Sequence, residues 1–346
     1  MNDGLEIRPV RGIGDVTAGD DLAELITAAA PWLADGDVLV VTSKIVSKAE
    51  GNLVEVPADG PDREAARERV LAAETARVVA RRGATAIVQT HHGFVMAAAG
   101  IDASNVDKTH LVLLPADPDA SARALRAALL ARGLDVAVII SDTMGRAWRN
   151  GLTDVALGAA GISAFRDHRG EIDPYGNELQ LTQMAVIDEL AAAGELVKGK
   201  CDQVPVAVVR GYPGTGPGAG QSGAKPLLRD AASDMFALGT AEARIAGLTE
   251  AARLPSTPAP TAGKGVVDRV AIDRALATVA DTVAPGTAIT VADAVTLAVT
   301  PPATTPADFI RLGADAHRLR AALAAEGVTT ELLPQETVLL LKVTTT

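Results

Sequence analysis

The sequence predicts the α/β (α+β) class, with a mixed sheet and helices in a large first domain and a smaller α/β domain after it. Three short runs rich in Val and Ile, at 37–42, 135–140 and 205–209, predict buried strands. Segments with charged and apolar residues at helical spacing lie between them. A chain of 346 residues suggests two domains, and because only 2% of the residues are aromatic, Ala, Val, Leu and Ile must fill the core.

The other elements of the first domain follow from the same patterns. Asp20 and Asp21 favour a helix start, because acidic residues stabilise the N-terminal end of a helix. The stretch 145–199 is less regular until its final helix. The expected elements are a helix at 20–33, an amphipathic helix at 61–82, strands at 85–89, 93–98 and 110–114, and helices at 119–132 and 181–196.

A shift in composition to Pro, Thr, Ala and Gly at 255–264 predicts a flexible linker. We therefore place a first domain at 1–250, a linker at 251–264 and a small C-terminal domain of unknown role at 265–346. The patterns in this last domain predict helices at 266–283 and 305–327, one short strand between them, and strands at 328–333 and 336–343.

Charge and composition exclude several functional classes. The formal net charge is −11, and no Lys/Arg cluster with interleaved aromatic residues is present, so no nucleic-acid partner is expected. A single cysteine, Cys201, rules out an intrachain disulfide and fits a reducing compartment. The N-terminus lacks an apolar signal core, and no apolar run reaches the ~18–20 residues of a membrane span. We expect a soluble, cytoplasmic protein without a membrane partner.

Polar residues follow two of the predicted buried strands. Ser43, Lys44 and Lys48 come after the first strand, and Asp142 and Thr143 after the second. Ligand groups in α/β folds commonly lie at this edge of the sheet. A lysine there can neutralise phosphate oxygens, and a carboxylate beside a hydroxyl suits Mg²⁺ or Mn²⁺. The alternatives are solvated lysines at a helix start and an aspartate that caps a turn.

A glycine-rich run follows the third strand. Its letters at 218–223 match the dinucleotide-binding fingerprint, but Pro213 and Pro217 argue against a tight strand–turn–helix, and no acidic residue lies the expected ~20 residues on. Such a backbone can still cradle phosphates through its N–H groups, with help from Lys225 and Arg229. The alternative is a surface loop.

Many separate stretches between residues 12 and 239 resemble one family in the same order. The matching stretches are 41–51, 92–95, 99–102, 104–105, 141–143, 145–146, 148–149 with Gly151, 153–156, 170–171 with Asp173, 175–176 and 234–236. The family is that of coenzyme F420-0:L-glutamate gamma-ligases, which build the polyglutamate tail of a deazaflavin coenzyme. Actinobacterial relatives often add a flavin-binding nitroreductase-like domain, for which this chain has too few residues after Pro255.

The resemblance implies a GTP site and a site for Mg²⁺ or Mn²⁺, with a monovalent cation such as K⁺ as a further candidate. By position, the metal ligands are Asp102, Asp142, Thr143 and Gln221. Gln221 is the only polar substitute for acidic residues that the family usually has there. The nucleotide contacts are Gly12, Ile13, Gly14, Asp15, Ser43, Lys44, Lys48, Asn105, Gly220, Gln221, Ser222, Gly223 and Lys225.

The implied reaction is the GTP-dependent joining of L-glutamate to F420-0 through an acyl phosphate, with release of GDP and phosphate. Further γ-linked glutamates can follow, and the family suggests a homodimer. We assign catalytic roles to Asp142, Arg146 and Arg149; arginines there, or Arg169, could hold substrate carboxylates because guanidinium binds carboxylate in a bidentate manner. Two alternatives remain: a nucleotide-dependent carboxylate kinase and a non-catalytic nucleotide-binding homologue.

Overall fold

A computed structural model describes most of the chain as two compact units, Met1–Asp234 and Met235–Thr346. The domain limits predicted from the sequence stay predictions, and residues 255–264 of the linker lie outside the described residues. The structure describes residues 4–83, 85–104, 106–200, 202–216, 222–230, 233–234, 236, 241–254, 269–293, 296–302, 305–335 and 338–344.

The first unit combines a central sheet with smaller sheets and five helices among the described residues. Its elements in chain order are β1 (Glu6–Val10), α1 (Leu22–Ala29), β2 (Val38–Thr42), α2 (Ser43–Glu50), β3 (Leu53–Glu55), α3 (Gly60–Glu74), β4 (Thr75–Arg82), β5 (Thr85–Thr90), β6 (Val95–Ala97), β7 (His110–Val112), α4 (Pro118–Ala131), β8 (Ala137–Arg146), β9 (Arg149–Ala160), β10 (Arg166–Asp167), β11 (Gln183–Met184), α5 (Val186–Lys198) and β12 (Val206–Arg210).

The central sheet has the strand order β1-β12-β2-β8-β9, and β2 and β8 are its parallel pair. The other neighbours are antiparallel. Alternate residues of β2 and β8 enter two cores: Leu39 and Val41 face the core that includes α1 and α4, whereas Val38 and Val40 face the core with α5. Because helices cover both faces, these strands are continuous apolar runs, and the predicted fold class is confirmed.

The sequence prediction was wrong at two segments of this unit. The helix expected at 61–82 ends at Glu74, and β4 follows it as a partner of β5. β-branched residues such as Val78 and Val79 favour a strand once a partner is available. The stretch after Gly145 was expected to be less regular, but β8 continues to Arg146 and forms a long hairpin with the 12-residue strand β9.

The second unit is a four-stranded antiparallel sheet with helices. Its elements are α6 (Ala241–Ala252), α7 (Arg269–Val279), β13 (Ala288–Asp293), β14 (Thr296–Thr300), α8 (Pro306–Ala325), β15 (Thr329–Pro334) and β16 (Leu339–Thr344). The strand order is β13-β14-β16-β15. Leu297 and Leu341 of the sheet pack against Leu319 of α8. The single strand expected between α7 and α8 is a hairpin of two. In the described residues of both units, no helix has the length and apolarity to cross a membrane.

Gly158 of β9 provides a test of the packing between β9 and α4. A Cβ atom at this position would overlap the backbone carbonyl of Pro118, and backbone gives way less easily than a flexible side chain. We expect Gly158→Ala to lower the free energy of unfolding by about 1–3 kcal/mol, measured by chemical unfolding. The control is Gly313→Ala on the exposed side of α8, where nothing lies within 4 Å; this change should stabilise by about 0.5–1 kcal/mol. Equal unfolding midpoints for the two variants would contradict this packing.

Candidate active site

A cavity of about 600 Å³ lies where the parallel strands β2 and β8 end. Because parallel strands end at the same edge of a sheet, Thr42 pairs with Ser141, and the residues that follow each strand come together. The wall comes from five segments: residues 13–16, the start of α2, residues 96–104, the hairpin β8–β9, and residues 195–205.

Helix α2 presents two lysines to this cavity. It begins at Ser43 directly after β2, and its buried Ile45 and Val46 fix it on the core shared with α1 and α4. Lys44 and Lys48 are one helical turn apart, so they lie on the same face of α2 and both line the cavity. Ser43 itself is buried and does not line the cavity.

Lys44 is paired with the loop that carries Asp102. Its Nζ lies 2.5 Å from Asp102 Oδ2 and donates to Ser104 Oγ at 2.7 Å, while the Ser104 backbone N–H donates to Asp102 Oδ1 at 2.6 Å. Burial works to raise the pKa of Asp102, but the hydrogen bonds from Lys44 and Ser104 and the charge of Lys44 outweigh it and hold the pKa below its usual value. Asp102 is therefore ionised in the cavity wall.

Asp142 has the opposite electrostatic environment. Burial raises its pKa to about 6, and the charges of Asp154 and Asp102 act in the same direction, although the Thr143 backbone N–H donates to its Oδ1 at 2.9 Å. The carboxylates of Asp102 and Asp154 therefore both repel a negative charge on Asp142. This repulsion would be relieved by a bound cation.

The side chains at this point could supply part of the coordination shell of a hard divalent cation, with water and substrate phosphates as its other ligands. Asp102, Asp142 and Thr143 offer only oxygen, which Mg²⁺ and Mn²⁺ prefer. The described residues contain no group of three or more His, Cys, Asp or Glu side chains at metal-ligand spacing. Mg²⁺ is commonly bound by one or two carboxylates together with water and substrate phosphates, which matches such a partial set.

A buried network of hydrogen bonds and one ion pair contacts the Thr143 hydroxyl. Asp154 and Lys198 are each 2% exposed, and Lys198 Nζ lies 2.8 Å from Asp154 Oδ2. Ser141 and Lys198 also bond to each other, at 3.0 Å, and Ser141 Oγ donates to Asp154 Oδ2 at 2.8 Å. Thr143 Oγ1 donates to Asp154 Oδ1 at 2.7 Å. Burial acts to raise the pKa of Asp154, but the charge of Lys198 and these hydrogen bonds lower it more.

Sequence reasoning assigned no role to this network or to Lys200 beside it. Lys200 Nζ lies 2.6 Å from Glu195 and donates to Thr143 Oγ1 at 2.7 Å. A partial signal was present, because Asp154 directly precedes the apolar run 155–160, and an acid at the start of a buried strand segment needs a partner. The identity of the partner depends on the pairing of α5 with β9, which sequence spacing does not give.

Of the other residues predicted from the sequence, some line the cavity and some do not. Ile13, Gly14 and Asp15 line the cavity, and Gly12 precedes them with a φ of 88°. Arg146 and Arg149 pair across the exposed tip of the β8–β9 hairpin and do not line the cavity. Arg169 forms an exposed ion pair with Asp167 at 2.6 Å. The catalytic roles of these arginines stay predictions.

The glycine-rich segment is described only in part. Asn105, Gly220 and Gln221 lie outside the described residues. Ser222, Gly223 and Lys225 are described but do not line the cavity. Their loop is held at the start of α4: Asp119 Oδ1 accepts from Ala224 N at 2.7 Å and from Ala159 N of β9 at 2.9 Å.

A concave site at strand ends, with lysines and carboxylates in its wall and one carboxyl of raised pKa, is typical of an enzyme. Comparison with known proteins agrees. The profile of the family described as F420-0:Gamma-glutamyl ligase matches residues 12–211. The chain belongs to this family, and it is a ligase that forms a carbon–nitrogen bond.

Relatives named coenzyme F420:L-glutamate ligase match the same part of the chain. The protein of Methanothermobacter thermautotrophicus is 45% identical over 251 residues, which are 67% of this chain and 99% of that protein. The protein of Methanopyrus kandleri is 40% identical over 67% of this chain and 97% of its own length. The protein of Archaeoglobus fulgidus is 40% identical over 62% of this chain and 91% of its own length.

The anchoring of the 222–225 loop by Asp119 can be tested by amide hydrogen exchange. Asp119→Ala removes the acceptor for three backbone N–H groups, those of Ala159, Ala224 and, at 3.4 Å, Lys225. We expect exchange at Ala224 and Ala159 to become at least about tenfold faster. The matched control is Asp117→Ala, which removes the N-cap bond to Ala120 N, at 2.9 Å, from the same helix. The control should weaken α4 but leave exchange at Ala224 unchanged; equal acceleration at Ala224 in both variants would exclude a specific anchor.

Proposed function

We propose that the chain joins L-glutamate to the deazaflavin coenzyme precursor F420-0 in a GTP-dependent reaction. The names of the relatives support the two substrates. The observation that carries the nucleotide part is the cavity itself, in which Lys44 and Lys48 face Asp102 and Asp142 at the ends of β2 and β8. Ammonium groups and a cation held by carboxylates together suit a polyphosphate.

The proposed chemistry has two steps. A carboxylate does not react with an amine at neutral pH, so the terminal carboxylate of F420-0 first attacks the γ-phosphorus of GTP. This step forms an acyl phosphate and releases GDP. The amine of L-glutamate then attacks the acyl carbon, an amide bond forms, and phosphate leaves with the bonding electrons while the amine loses a proton. Further γ-linked additions repeat the same sequence.

The side chains of the cavity would act by positioning and charge neutralisation. Lys44 and Lys48 would donate to the β- and γ-phosphate oxygens, and residues 12–15 would contact the nucleotide from the adjacent wall. Lys44 would then exchange its bond to Asp102 for a phosphate oxygen. This exchange would free the Asp102 carboxylate as a ligand.

Asp102, Asp142 and Thr143 would hold Mg²⁺ or Mn²⁺, with K⁺ as a further candidate and Gln221 as a further ligand. When bound, such a cation neutralises phosphate charge and polarises the γ-phosphoryl group. The arginines Arg146 and Arg149 would hold substrate carboxylates at the hairpin tip. A homodimer in the cytoplasm completes the proposal.

The decisive experiment measures GDP release and product mass together. Purified chain is incubated with GTP, F420-0 and Mg²⁺ or Mn²⁺, with and without L-glutamate. We expect GDP formation that depends on L-glutamate and a product heavier by one or more glutamyl residues, with ATP much less effective. GDP release without glutamate, with a phosphorylated acid as product, would favour a carboxylate kinase. Nucleotide binding without any turnover would favour a non-catalytic homologue.

Lys44→Met tests the role of the α2 lysines in the same assay. Loss of one charge-assisted hydrogen bond of about 1.5–3 kcal/mol predicts a fall in kcat/KM for GTP of roughly 10–100-fold. The matched control is Lys108→Met, which removes an exposed lysine that does not line the cavity and should leave kcat/KM unchanged. An equal effect of the two substitutions would argue against phosphate binding by α2.

A further inference from the structure

The hydrogen bonds around Thr143 fix the direction of its hydroxyl group. Lys200 Nζ, 2.7 Å from Thr143 Oγ1, is an ammonium and can only donate. Asp154 Oδ1, also 2.7 Å from Thr143 Oγ1, belongs to an ionised carboxylate and can only accept. The single hydroxyl proton of Thr143 must therefore lie on the bond to Asp154. The remaining lone pair of Oγ1 is left for the cavity.

Asp154 is held in this orientation by groups that are themselves buried. Its other oxygen, Oδ2, accepts from Lys198 at 2.8 Å and from Ser141 at 2.8 Å. Lys198 lies in the last turn of α5, where a positive charge interacts favourably with the helix dipole. Besides Asp154 Oδ2, the Lys198 ammonium contacts Ser141 Oγ at 3.0 Å and Glu195 Oε2 at 3.4 Å. The ammonium thus has three oxygen partners, and each oxygen of Asp154 has a fixed donor.

We propose that Asp154 is a positioning residue that binds the hydroxyl proton of Thr143, so that Thr143 presents only an oxygen lone pair to a divalent cation in the cavity. Lys198 binds one oxygen of the Asp154 carboxylate and thereby holds the other oxygen toward Thr143. The inference rests on the proposed function in one respect, the presence of a divalent cation beside Thr143. Asp154 acts through Thr143 and needs no contact with the cation.

Asp154→Asn is the informative substitution because it changes the hydrogen-bonding character without changing the shape. The ammonium of Lys198 attracts the amide oxygen, so the amide NH₂ group takes the place of Oδ1 and faces Thr143. The NH₂ group donates to Thr143 Oγ1 and turns the hydroxyl proton toward the cavity. A proton pointing at the cation opposes binding.

The test measures the affinity for Mn²⁺ alone, with free Mn²⁺ counted by electron paramagnetic resonance. Substitutions behind a metal ligand typically cost about 10–100-fold in metal affinity, so we expect Asp154→Asn to raise the Kd at least about tenfold. Thr143→Val, which removes the hydroxyl, should do the same. In the double variant, Asp154→Asn should add nothing to Thr143→Val, because its effect passes through the missing hydroxyl.

A control and a second variant separate positioning from folding. Asp37→Asn alters another ion pair with a buried carboxylate, in which Asp37 accepts two bonds of 2.7 Å from the partly exposed Arg210. This substitution should lower thermal stability without changing the Kd for Mn²⁺. The Asp154→Asn/Lys198→Met variant removes both buried charges and is expected to fold even if Asp154→Asn does not. Without the ammonium, the amide oxygen can face Thr143, so Mn²⁺ affinity should return to within about threefold of the wild type.

Three results would overturn the inference: additive effects of Asp154→Asn and Thr143→Val, an unchanged Kd in folded Asp154→Asn, or a wild-type chain that does not bind Mn²⁺. Additivity would instead make Asp154 a direct ligand. The affinity for Mn²⁺ is measured independently of the ligase activity, so the inference and the proposed function can fail separately. Coupled Mn²⁺ affinities in a chain that adds no glutamate would uphold the inference and reject the proposed function, whereas ligation with uncoupled affinities would do the reverse.

Discussion

The parallel pairing of β2 with β8 is the constraint on which the site depends. In the described central sheet the other neighbours are antiparallel, and an antiparallel β8 would carry Asp142 to the opposite end of β2 from Lys44. Because the two strands run the same way, α2 begins and the polar end of β8 emerges at one edge. Lysines and carboxylates far apart in the sequence thereby share one cavity.

Ion pairing within the cavity wall leaves one carboxylate exceptional. Asp102 is paired with Lys44, Asp154 with Lys198, and Glu195 with Lys200. Among the described residues no ion pair forms to Asp142, and its pKa is the one that burial and neighbouring charge raise to about 6. The unbalanced negative charge is therefore concentrated at the end of β8. An added cation would gain most there, because each of the other three carboxylates already has a lysine partner.

The sequence was informative where the pattern is local. The runs at 37–42 and 205–209 could be assigned as strands because both faces of β2 and β12 are buried, and the polar residues after β2 and β8 followed from that assignment. It failed where a partner decides the conformation. Residues 75–82 continue the charged pattern of the helix before them and were therefore predicted as helix. They form β4 because they pair with β5. Asp154 and Lys198 could not be paired from spacing, because their contact spans the packing of α5 on β9.

The buried Asp154–Lys198 pair is better explained by geometry than by stability. Removing two charges from water is costly, and apolar replacements of buried ion pairs are often neutral or stabilising. Here the pair joins the last turn of α5, on one face of the sheet, to the cavity end of the β8–β9 hairpin, while α2 approaches that end from the other face. The group that orients Thr143 therefore lies on one face of the sheet, and the helix that carries Lys44 lies on the other. A carboxylate that is bonded at both oxygens and 2% exposed cannot rotate without breaking several hydrogen bonds, so the orientation of the Thr143 hydroxyl is set by the fold before any substrate arrives.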